Sequence, residues 1–186
     1  MCPIDFISRR DMLKLTAATV TTVAFHKSTA AFASPVQSNP PIHDRPEYAK
    51  QRFLKSMNCS QAILETYAEE MGMSVENARK VASAFAGGMG MGTECGAVTG
   101  AFMVIGMKHG KTKDKDSAAD KGTFTRVAKF VEEFKKEHGD IGCSNLLGTD
   151  MGSLEGVKKA ADQGLFTSRC PQFVETAAKI LEGILA

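Results

Sequence analysis

From Cys95 to Met107 the chain carries no charged residue, yet it contains Gly96, Gly100 and Gly106 among Ala97, Val98, Phe102, Val104 and Ile105. A run of this length and apolarity has to be buried, and its lack of strict alternation favours a helix over a half-exposed strand. Glycine costs roughly 1 kcal/mol relative to alanine inside a helix. Gly96 and Gly100, four apart, therefore read as a stripe where a second backbone or a cofactor comes close. The run follows Gly87, Gly88, Gly90 and Gly92 and closes at Gly110, so glycine punctuates both of its ends.

The rest of the chain repeats the helical spacing. Ala49, Phe53 and Met57 recur at four behind Pro46, which suits the first turn of a helix over 46–57. Asn58 is placed to cap a second helix starting at Cys59, with Ile63, Tyr67 and Met71 on one face. Ser74 caps a third, whose buried stripe is Val75, Ala78, Ala82 and Phe85. Phe124, Val127, Phe130, Val131 and Phe134 mark an amphipathic helix ending at His138 and Gly139. A short helical turn follows Gly142, Ser153 caps a further helix, and Cys170 with Pro171 opens the last one. The predicted class is all-α: a single-domain, multi-helix bundle around a buried central glycine-rich helix.

Ahead of the bundle, Ser8, Arg9, Arg10, Asp11, Met12, Leu13 and Lys14 form a twin-arginine export pattern, with Met12 where such signals more often carry Phe. An uncharged run from Leu15 to Phe25 follows, and Ala31-Phe32-Ala33 supplies a small-x-small cleavage site. We read residues 1–33 as a signal peptide, 34–45 as an extended proline-containing tether and 46–186 as the domain. The apolar run is shorter than the about 20 residues a permanent membrane span needs. The expected location is periplasmic or otherwise extracytoplasmic. Removal of residues 1–33 takes away Arg9, Arg10, Lys14 and Lys27 against Asp5 and Asp11, leaving 19 basic and 19 acidic residues. A neutral domain gives no electrostatic reason to expect nucleic acid as a partner.

Of five cysteines, Cys2 leaves with the signal, and Cys59, Cys95, Cys143 and Cys170 remain, 36, 48 and 27 residues apart. No C-x-x-C and no C-x-x-C-H is present, so neither a local zinc knuckle, a thioredoxin-like motif nor a haem attachment site is written here. Any shared site has to be assembled by the fold. All four cysteines fall at expected helix starts, where unpaired N–H groups and the helix dipole favour thiolate. Thiolate is the form that ligates metal and the form that attacks disulfides. Four buried apolar cysteines, two structural disulfides with three possible pairings, and a structural zinc site are the alternatives. His109 and His138 precede glycines at helix ends and read as capping residues; His43 lies in the tether. Glu94 reads as a loop carboxylate, and Met89, Met91, Met103 and Met107 as packing.

The order Cys59, then Cys95-Gly96-Ala97-Val98-Thr99-Gly100, then Cys143 and Cys170 resembles the redox-active family named for the motif C_GCAxxG_C_C, over about residues 50–185. The resemblance implies a redox or electron-transfer role. A similar domain in split-Soret-type cytochromes looks like the part holding an iron–sulfur centre beside the haems, whose motifs this chain lacks. By that likeness, Cys59, Cys95, Cys143 and Cys170 are the candidate ligands of an iron–sulfur cluster exchanging electrons with a redox protein partner. Two other functions stay open at this point: a thiol–disulfide oxidoreductase with Cys95 as the redox thiol, accessible among its glycine neighbours, and a disulfide-braced interaction domain.

Overall fold

The computed structural model describes residues 43–186. The signal, its cleavage site and all but the last residues of the tether lie outside them. Among the described residues the regular structure is helical, and the one strand-like feature is an isolated antiparallel bridge between Glu94 and Gly142.

Helix α1 (Arg45–Ser56) is capped by Asp44, whose carboxylate accepts the Glu47 N–H, and Pro46 sits in its first turn. Met57 closes it in the left-handed region, φ 52°. Helix α2 (Cys59–Ala68) follows at once behind the Asn58 cap, and α3 (Val75–Ala82) starts behind Ser74. A 3₁₀ turn (Ser83–Phe85) leads into the glycine segment and then α4 (Gly96–His109). The long α5 (Ser117–His138) ends on Gly139 at φ 81°. Short α6 (Cys143–Leu147), α7 (Leu154–Asp162), the single turn α8 (Leu165–Ser168) and α9 (Cys170–Leu185) complete the chain.

Helix α2 packs most extensively against α4, and α1 against α9. Burial is most complete in α2, where nine of ten residues are buried, against seven of 14 in α4. The centre thus belongs to α2, enclosed by α1, α3, α4 and α9. Its polar residues concealed this: Glu65 is 4 % exposed because Arg52 from α1 and Arg79 from α3 both pair with its carboxylate. A buried charge is tolerated only when so paired. Tyr67, fully buried, donates its hydroxyl to the Ala178 carbonyl at 3.1 Å and to Glu182 at 2.9 Å, tying α2 to α9. Arg45 pairs with Glu182 at 3.2 Å and also with Glu70.

An aromatic ladder joins α4, α5 and α9: Phe102 meets Phe130 edge-on at 5.9 Å, Phe130 stacks on Phe134, and Phe134 leans on Phe173 at 6.5 Å. One residue assigned to this stripe is corrected. Phe124 is 69 % exposed, because α5 makes its buried aromatic contacts through its C-terminal half, at Phe130 and Phe134.

A four-cysteine pocket

Local sequence explains how each cysteine is held. The Asn58 side chain accepts the Gln61 N–H and the Ser60 hydroxyl, both at 2.9 Å, and donates to the Ser83 carbonyl at 3.2 Å, which fixes Cys59 as the first residue of α2. Cys95 is itself the N-cap residue of α4. Cys143 opens α6 behind Gly142, and Cys170 opens α9 one residue before Pro171.

Two short hydrogen bonds zip the second and third cysteine loops together. The Cys95 N–H donates to the Ile141 carbonyl at 2.8 Å and the Cys143 N–H to the Thr93 carbonyl at 2.6 Å, on either side of the Glu94–Gly142 bridge. Asp140 organises one side: its carboxylate accepts the Ile141 and Gly142 N–H groups and the Asn145 amide. Those bonds hold its carboxyl below the ordinary carboxylate range. Ser144 organises the other, donating to the Gly92 carbonyl at 2.9 Å and accepting the Met151 N–H at 3.1 Å.

The glycine segment turns through four successive left-handed residues, Gly87, Gly88, Met89 and Gly90, with φ between 59° and 68°. Left-handed runs are costly for residues with a β-carbon, which explains the glycines on either side of Met89. Space matters as well at Gly88, where a Cβ would lie 2.5 Å from the Thr93 nitrogen and 3.0 Å from the Cys143 Cβ.

Cys59, Cys95, Cys143 and Cys170 all line one cavity of about 430 Å³. Its other walls are mainly apolar, including Phe53, Met57, Leu146, Met151, Phe166 and Phe173, with Gly87 and Gly90 contributing backbone. Three of the cysteines are buried, and Cys170 is partly exposed. The four cysteines share this cavity without being gathered at one point: among the described residues, no three His, Cys, Asp or Glu side chains are grouped as they would be around a single metal ion.

The expectation that helix starts would make every cysteine acidic is corrected. Only Cys59 is lowered, to about 7, first by a hydrogen bond from the Cys95 thiol and then, against burial, by backbone N–H groups including that of Gly87. Cys95 is raised, chiefly because it is the partner donating to Cys59 and because it is buried. Burial pushes Cys143 and Cys170 up to about 12, with the Cys59 charge adding to it. In an apolar cavity one negative sulfur is stabilised by its neighbours' protons, and desolvation outweighs the dipole for the rest. The accessibility expected for Cys95 is corrected too: it is 5 % exposed, so its glycine neighbours do not open it to solvent.

His138 lies against Phe134 and Phe173 at 4.8 and 4.9 Å, and His109 sits at the end of α4. Burial lowers both imidazoles, and the Nε2 atom of each is buried without a hydrogen-bond partner. Neither lines the cavity. Glu94 is exposed and serves through its backbone, in the bridge to Gly142.

Residues 57–184 match the family model described as "Putative redox-active protein (C_GCAxxG_C_C)". The chain belongs to this family. Its four motif cysteines are the four that line the cavity, and the motif glycines Gly96 and Gly100 lie where α4 crosses α2. No curated protein and no solved structure matches the chain. The redox role is the one in the family's description, and sequence reasoning found the family's cysteines. It missed Asn58's second role as a tie to Ser83, and the Asp140 and Ser144 scaffolds, for which an Asp two residues before a glycine and a Ser after a cysteine were the only local signals.

Proposed function

We propose that this protein is an exported electron-transfer protein whose Cys59, Cys95, Cys143 and Cys170 hold a polynuclear iron–sulfur cluster. The observation that carries the reading is the common cavity: four thiols far apart in sequence face one apolar space of about 430 Å³. Metal–thiolate bonds are about 2.3 Å long, so a lone zinc ion would require four sulfurs drawn tightly around one point. A cluster brings its own bulk and its own bridging sulfides, and suits ligands spread around a volume. The donor chemistry fits as well, since cysteine thiolate is the usual ligand of iron–sulfur clusters.

When bound, such a cluster supplies one-electron exchange. The chain's own residues do the remainder. The four cysteines would hold the group as thiolates, a form that a bound cation favours where burial alone does not. Phe53, Leu146, Phe166 and Phe173 line the apolar wall beside the cysteines, and the Gly87 backbone stands on the Cys59 side of the same cavity, where it favours the thiolate. Cys170, the most exposed of the four, would be the ligand that a redox protein partner could approach most closely. Export through the twin-arginine route, drawn from residues 8–33, suits a protein that folds around its cofactor before it leaves the cytoplasm.

Anaerobic purification followed by iron and acid-labile sulfide analysis tests the reading. The expected result is a coloured protein with comparable amounts of iron and sulfide, lost on replacing any of the four cysteines by serine. A colourless protein that takes up neither from iron and sulfide under reducing conditions overturns it.

A further inference from the structure

The four sulfurs are not equivalent neighbours. The Cys59 sulfur lies against the start of α4, where the chain passes from Cys95 to Gly96, and Cys95 is the side chain that acts most strongly on it, whereas Cys143 and Cys170 feel its charge. Helix packing imposes this pairing. A Cβ on Gly96 would overlap the Cys59 sulfur, and one on Gly100 would stand 3.0 Å from both the Ser60 carbonyl oxygen and the Ile63 Cβ. Two missing side chains therefore let the start of α4 settle on the start of α2. Cys95, as an N-cap residue, makes no side-chain capping bond that would hold its sulfur elsewhere. Cys143 is anchored separately by its N–H bond to Thr93. All four thiols are free in this structure.

We propose that in the cofactor-free protein Cys59 and Cys95 form a reversible dithiol–disulfide pair, and that its oxidation closes the pocket to metal. The oxidant is a small disulfide entering the cavity. One protein sulfur, deprotonated, attacks a sulfur of the oxidant, forming a mixed disulfide and releasing one thiolate. The second protein sulfur gives its proton to solvent and attacks the first, forming the Cys59–Cys95 bond and releasing the other thiolate. Two electrons pass from protein to oxidant, one S–S bond is exchanged for another, and the two released thiolates take up the two protons. Closing the bond brings the two sulfurs to about 2.05 Å from one another. The gating half of the proposal rests on the cluster reading, because it consumes two of that cluster's four ligands; the disulfide half does not.

The test uses the full chain carrying Cys2→Ser, reduced and metal-free, equilibrated in glutathione buffers, quenched with acid, alkylated and digested. Mass spectrometry is expected to find one linked peptide pair joining Cys59 to Cys95, with Cys143 and Cys170 alkylated, and reversal by dithiothreitol. A Cys143→Ser/Cys170→Ser double variant is expected to keep the same link. Any other dominant pairing, or no intramolecular link, overturns the proposal. Oxidised and reduced samples are then offered iron and sulfide, and the oxidised one is expected to load at least tenfold less. Equal loading overturns the gating, whereas a reduced sample that loads nothing defeats the cluster reading and leaves the mapped disulfide standing.

Discussion

Gly96 of α4 stands so close to the sulfur of Cys59 on α2 that no β-carbon could be accommodated between them. Gly106, ten residues further along the same helix, has nothing within 4 Å of the position its Cβ would take. The same substitution should therefore act with opposite sign at the two sites. Gly96→Ala is expected to cost about 1–3 kcal/mol through overpacking. Gly106→Ala should stabilise by about 0.5–1 kcal/mol, the ordinary gain of alanine over glycine inside a helix. Thermal or urea unfolding of the reduced, metal-free variants measures both. Equal effects would mean that α4 does not rest on Cys59.

The acidity of the buried thiols makes a second expectation. Cys143 and Cys170 are pushed up to about 12 in the folded chain from an ordinary value of 9.0. A raised value favours the folded state fully below 9.0 and progressively less as the pH climbs toward 12. The melting temperature of the reduced, metal-free protein should thus fall on going from pH 8.5 to 11, and fall less in the Cys143→Ser/Cys170→Ser variant. Metal loading shows the reverse dependence: each thiol that becomes a ligand must first lose its proton, so loading weakens as the pH drops below neutrality. A melting temperature independent of pH across that alkaline range would contradict the burial of these sulfurs.

Asn58 is the joint between α1 and α2, and its side chain also reaches the Ser83 carbonyl. Asn58→Ala should cost about 1 kcal/mol, the usual loss of an N-cap. Asn58→Asp keeps the acceptor for the Gln61 N–H but not the donor to Ser83, and is expected to fall between the two. Chemical denaturation ranks the three proteins, and an alanine variant as stable as the parent would remove the capping role.

Much of this architecture was legible because caps and glycines are local signals. Asn58, Ser74 and Ser153 each accept the N–H bond their position in the sequence implies, and Gly139 ends α5 in the left-handed conformation only glycine adopts cheaply. The centre was harder to see. Helix α2 carries Gln61, Glu65 and Thr66, and its near-complete burial depends on Arg52 and Arg79, which arrive from other helices. Phe124 misled for the converse reason: periodicity marks a face without saying how much of it is covered. The thiols show the same limit, since a helix start is visible in one sequence but the desolvation that overrides it comes from the walls assembled around the cavity.

The proposed export route is testable in the producing cell. Replacing Arg9 and Arg10 together by lysine should leave the unprocessed protein in the cytoplasm, seen by fractionation and by the mass of its N-terminus. Unchanged processing near Ser34 would show that another route carries it.

The central claim is that four cysteines surround one polynuclear centre, and X-ray absorption at the iron edge of anaerobically loaded protein addresses it most directly. The expected result is a first shell made of sulfur alone and a second shell containing iron. A first shell dominated by nitrogen or oxygen, or sulfur-bound iron with no neighbouring iron, would contradict it.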